Sequence, residues 1–128
     1  MSTQINDFKN NLYDDAAGDT IRPQTATADV NGQAVDLVDT DGPCGAKLVV
    51  GAVSGTTTLN VKMQESTASG GTYTDITGAT FTAVTASNKS QIINFKRTKR
   101  FVRAAATLTG STTSAAIAVI VLAQKKNI

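Results

Sequence analysis

The order of apolar and polar side chains changes character near Pro23. Before it, Ile5, Phe8 and Leu12 recur at near-helical spacing and are followed by the acidic pair Asp14 and Asp15. This predicts a short helix or extended arm over residues 1–22. After it, short alternating runs are broken by turn residues, which places a single β-domain over residues 23–128.

TATADV (25–30) and QAVDLV (33–38) flank Asn31-Gly32, the dipeptide suited to a type I′ hairpin turn. DTDGPCG (39–45) combines Asp, Gly and Pro, which predicts a turn that halts the preceding strand. AKLVVGAVS (46–54) is apolar on both faces in its middle and reads as a central strand. TTTLNVKMQES (56–66) alternates strictly, with Leu59, Val61 and Met63 on one side and Thr58, Asn60, Lys62 and Gln64 on the other. One of its faces packs on a core and the other meets water or a partner.

Residues 67–84 open on a glycine-rich turn and continue as strand pieces around Tyr73, Ile76 and Phe81. SNK (87–89) marks a turn, and SQIINF (90–95) follows as a strand. RFVRAAATLT (100–109) and SAAIAVIVLAQ (114–124) are separated by Gly110 to Thr113, which reads as a hairpin. Phe101 and Arg103 fall on one face of their strand, Val102 and Ala104 on the other. Regular turns with no long helical segment after residue 22 predict an all-β antiparallel β-sandwich, jelly-roll-like or Ig-like, behind its N-terminal arm.

Composition fits that reading. In 128 residues, 41% are hydrophobic and 17% charged, so the surface draws on Thr, Ser, Asn and Gln. Threonine suits strands because its β-branch is stiff while its hydroxyl tolerates water. The single cysteine, Cys44, excludes an intrachain disulfide and lies in a turn-like context that favours a small half-buried residue over a reactive thiol. The longest apolar run, Ala115 to Ala123, is too short for a membrane-spanning helix and reads as a buried strand. The N-terminus has no signal-peptide pattern.

Candidate chemistry is sparse. With no histidine, the commonest general base and the Ser-His and Cys-His pairs are excluded. Asp36, Asp39 and Asp41 lack the ligand spacing of an EF-hand loop and read as turn caps, so no metal or other cofactor is expected. Ser69-Gly70-Gly71 lacks the lysine and helix of a phosphate loop. The chain is therefore read as non-enzymatic and without a small-molecule substrate.

FKRTKRFVR (95–103) is the densest run of positive charge. Lys96, Arg97, Lys99 and Arg100 sit between two strands and decorate a turn. A net charge of +2 leaves no wider basic surface, so they are assigned to contact with an acidic protein surface and not to nucleic acid. Phe8, Leu12 and Tyr13 are candidate contacts with a neighbouring subunit.

Three stretches carry a resemblance over roughly residues 25–124. They are Gln64, Glu65 and Ser66 with Gly71, Tyr73, Thr74 and Asp75; then Lys99, Arg100, Phe101, Val102 and Arg103; then Thr107, Thr109, Gly110, Thr112 and Thr113. This layout resembles the capsid decoration, or cement, proteins of tailed bacteriophages. The resemblance implies a structural protein, often trimeric, made in the host cytoplasm and bound outside the icosahedral head, where it bridges major capsid subunits. The family carries no catalytic residues. An alternative on the same fold is a module binding carbohydrate or a host surface, which predicts exposed aromatics around Tyr73 and Phe81.

Overall fold

The computed structural model describes residues 19–38 and 40–125, with the side chains of 40–43 and 124–125 left aside. Phe8, Leu12 and Tyr13 lie outside the described residues. Among the described residues nine strands follow in order: β1 (Asp19–Ala26), β2 (Val30–Asn31), β3 (Val35–Asp36), β4 (Thr40–Val53), β5 (Thr58–Ser66), β6 (Thr74–Thr80), β7 (Lys89–Lys96), β8 (Phe101–Thr109) and β9 (Ala115–Lys125). They form two antiparallel sheets. One runs β1-β9-β4-β7 and the other β2-β8-β5-β6, with β3 also pairing β8.

The expected sandwich follows from period-two burial. Leu59, Val61 and Met63 on β5 and Val102, Ala104, Ala106 and Leu108 on β8 turn inward, against Ala46, Leu48 and Val50 on β4 and Ile117, Val119 and Val121 on β9. The two strands predicted to be central, β4 and β9, are interior strands of the first sheet. Asn88 takes the left-handed conformation at the turn before β7, with φ 60°, as the SNK signal requires.

Several expectations fail for identifiable reasons. Asp19–Arg22 of the expected arm already run in β1, where Asp19 pairs with Ile120. Asn31-Gly32 makes no hairpin, because β2 and β3 lie in line along β8 and do not pair with each other. Gly32 donates its N–H to the Ala104 carbonyl at 2.7 Å. The glycine serves close approach instead, since a Cβ there would collide with the hydroxyl and carbonyl of Thr20.

The DGPCG stretch does not halt a strand either. β4 runs through it, and Pro43 sits opposite Lys96 where the β4–β9 register shifts between Thr40 and Cys44. A bulge accommodates a residue without an N–H, and both neighbouring strands hold the segment in place. Gly110 to Thr113 is likewise not a hairpin but a crossover, because β8 and β9 belong to different sheets. Gly110 has a φ of 141°, and a Cβ would collide with the Thr56 carbonyl.

Thr20 ties the sheets together on the β1 side. Only 2% exposed, it donates its hydroxyl to the Gln33 carbonyl at 2.8 Å and accepts the Ala104 N–H at 2.9 Å. On the opposite side Gln91 of β7 brackets Thr82, accepting its N–H at 2.9 Å and donating to its carbonyl at 2.8 Å. Gly32→Ala should therefore lower stability by about 1–3 kcal/mol through overpacking against Thr20. Gly55→Ala, where a Cβ meets nothing within 4 Å, should leave stability nearly unchanged. Urea denaturation of the two variants, with a shift in midpoint only for the first, checks this.

Candidate interaction surface

The basic run is largely committed to the fold. Glu65, at the end of β5 and 8% exposed, receives the Thr98 N–H at 2.8 Å, the Thr98 hydroxyl at 2.9 Å and the Lys99 N–H at 3.2 Å. Its carboxylate pins the β7–β8 connection. Arg97 folds back into that connection and donates to the carbonyls of Leu37 at 2.6 Å and Lys99 at 3.0 Å. Arg100 grips Asp36 with two hydrogen bonds, at 2.8 and 2.7 Å, and its guanidinium lies 5.0 Å from the Phe101 ring centre. The hydrogen bond from Arg100 is the main reason the Asp36 carboxyl is held below the usual range.

Several other residues of the resemblance are bonded across strands as well. Arg103 lies 4.1 Å from the Tyr73 ring centre and donates Nε to Gln64 at 3.1 Å. Gln64 donates to Asp75 at 2.9 Å, and Lys62 reaches the other oxygen of that carboxylate at 3.1 Å. The hydrogen bond from Gln64, followed by that from Lys62, lowers the Asp75 pKa. Around the crossover, the Thr112 carbonyl accepts the hydroxyls of Thr56 at 2.7 Å and Ser54 at 3.0 Å. The motif residues thus form a cross-strand frame.

Of the four cations assigned to contact, Arg97 and Arg100 are engaged within the chain. Lys99 reaches Thr74 at 3.5 Å, and Lys96 is exposed at the end of β7. The aromatics of the alternative reading give no open platform. Phe81 is 3% exposed, and Tyr73 is half-buried with Arg103 against its ring. Cys44 is buried, and desolvation pushes its thiol up to about 11, which suits an inert packing residue. Among the described residues, no group of His, Cys, Asp and Glu could hold a metal.

The surface that stands out is the outer face of the first sheet, which sequence reasoning missed. Ile92 on β7 is 64% exposed and Val49 on β4 is 39% exposed. Register places Ile120, Lys47 and Ile92 in one row across β9, β4 and β7, and Ala118, Val49 and Ser90 in another. Pro23, Val49, Gly51, Ala116, Ala118 and Ile120 line a shallow groove of about 510 Å³ along the β1 side. The signal was present in two forms: adjacent Ile92 and Ile93, of which a strand can turn only one inward, and a β9 apolar on both faces.

The chain is a β-sandwich. A solved CBM4 carbohydrate-binding module shares this fold at a TM-score of 0.52 and 16% identity, over 82% of this chain and 67% of that one. Weaker likeness extends to a chain of infectious bursal disease virus strain Gx, at a TM-score of 0.40 and 15% identity over 85% of this chain and 35% of that one. It extends also to a Bacillus endospore appendage pilus protein, at 0.37 and 16% over 91% and 99%. No family model and no curated protein matches.

Glu65→Ala should cost about 1–3 kcal/mol, because it leaves the part-buried N–H groups of Thr98 and Lys99 without their acceptor. Glu65→Gln should cost less, and urea midpoints for the two order the effects. Asp36 has a lowered folded pKa, so its pair with Arg100 contributes above the ordinary carboxylate pKa of about 4 and is lost as pH falls below it. Both side chains are more than a third exposed, so Arg100→Ala should cost at most about 1 kcal/mol at pH 7. The gap between that variant and the parent should narrow from pH 7 to pH 2, as read from urea midpoints at both pH values.

Proposed function

We propose that this chain is a non-enzymatic structural protein of a phage virion, which decorates the outside of the icosahedral head and bridges major capsid subunits. The carrying observation is the apolar outer face of the first sheet. A face that leaves Ile92 and Val49 in water, alongside Ala118 and Ile120, is suited to burial against protein. Ile92 shares the outer side of β7 with Lys96 and lies opposite Lys47. An apolar anchor beside cations fits an acidic protein surface with an apolar recess.

The frame built by the motif residues supports the same reading. A decoration protein transmits load between the subunits it bridges, and cross-strand bonds that link β5, β6 and β8 stiffen it for that task. Oligomers, with a trimer as the working arrangement, would engage several capsid subunits together and gain affinity from linkage. Partner and location follow as the major capsid protein and the outer surface of the virion.

Mass spectrometry of purified particles should find the chain, and its absence there ends the reading. Ile92→Asp should leave the melting temperature unchanged while particle occupancy drops by about tenfold or more, as for a central contact residue. Equal occupancy of parent and variant would remove the β7 face from the contact. A glycan array run alongside should stay silent.

A further inference from the structure

The free edges of the two sheets differ in how they are guarded. β1 has two register shifts and carries Pro23, β2 and β3 are two residues each, and β6 pairs irregularly with β5 and holds Gly78 at a φ of 79°. Such features keep an edge from accepting another strand. β7 has none of them. All 8 of its residues pair with β4 without a shift, and it contains neither proline nor glycine.

The ladder also determines which backbone groups of β7 are left over. Asn88 donates its N–H to the Gly51 carbonyl at 2.8 Å, and that pair continues the β4–β7 register by one step. Hydrogen-bonded pairs alternate along an antiparallel ladder, so Ser90, Ile92, Asn94 and Lys96 turn their backbone toward β4. Lys89, Gln91, Ile93 and Phe95 turn theirs to the open side. Among the described residues β7 pairs with β4 alone, and these open-side groups have no hydrogen-bond partner. We propose that this edge takes up an extended acidic segment of its partner as an additional strand, beside β7 and in the plane of the sheet, the partner being the major capsid protein if the capsid reading on which this rests holds.

Charge selects the occupant. β7 reads KSQIINFK, with a lysine at each end and no carboxylate. A second copy of β7 would bring more lysine and no acid, and the other edges of this chain are guarded, so its own strands are poor partners. Ile92 and Lys96 lie four residues apart and point to the same side of the strand. An added strand of either direction therefore matches both when an aliphatic side chain stands opposite Ile92 and a carboxylate, four residues away, stands opposite Lys96. Backbone bonds to the open-side groups supply affinity, and those two side chains supply selection. The strand lies at the flank of Ile92 and leaves the outer side of the sheet to the rest of the same partner.

Amide hydrogen exchange on the full chain, free and bound to purified particles, reads this edge residue by residue when followed by release and NMR. In the free chain the amides of Lys89, Gln91, Ile93 and Phe95 should exchange readily, while those of Ile92 and Asn94 are already held by β4. On particles the first four should slow by about tenfold or more. Unchanged exchange at these four in chain that is bound to particles would overturn strand addition and leave the capsid reading standing, whereas absence of the chain from particles would overturn both. Charge is tested separately. Lys96→Glu should lower particle occupancy severalfold, and Arg22→Glu on the guarded β1 edge should not. Equal occupancy of Lys96→Glu and the parent would overturn the acidic character assigned to the added strand.

Discussion

A single buried carboxylate governs how the two sheets are joined at their basic end. Glu65 closes β5 in the second sheet, and the chain segment it holds is the one that leaves β7 in the first sheet for β8 in the second. In an apolar sandwich such a charge is tolerable only when its oxygens are occupied. Two backbone N–H groups and the Thr98 hydroxyl occupy them. The crossover is thereby fixed, Arg97 can turn back onto the Leu37 and Lys99 carbonyls, and Arg100 is presented to Asp36. A run that looks like a cationic patch in one dimension becomes a cross-braced corner in three.

That corner explains why the sequence was informative about elements and less so about their partners. Alternation in 56–66 gave Leu59, Val61 and Met63 as core, and the both-face apolarity of 46–54 and 114–124 gave interior strands, because burial period and strand centrality are local properties. Asn31-Gly32 misled because the same glycine serves a turn or a close approach, and only the position of Thr20, a non-local fact, distinguishes them. Gly110 misled similarly. Its backbone conformation is that of a turn, but the destination of the next strand depends on the other sheet.

The candidate surface was illegible for a related reason. Apolar residues on both faces of β9 imply cover on both faces, and the sequence reading spent them all on the sheet interior. Inner-face residues such as Val119 and Val121 do meet the second sheet, while Ala118 and Ile120 face outward. The charged motif drew attention because charge is rare here. Yet Arg97 and Arg100 are held by carbonyls and a carboxylate of the fold, and the surface that stands out for a partner is made largely of ordinary aliphatic side chains whose meaning appears only once the register is known.

The sheet order has a kinetic consequence. β1 pairs with β9, the last described strand, and β4 lies between β9 and β7. During synthesis β1 therefore has no partner until β9 has been made, and its edge waits unpaired while everything between is translated. Such long-range pairing slows folding, because the loop it closes must be ordered before the pairing rewards it. The edge that waits carries Pro23 and Arg22, and a missing N–H and a charge are features that keep unpaired strands from joining one another.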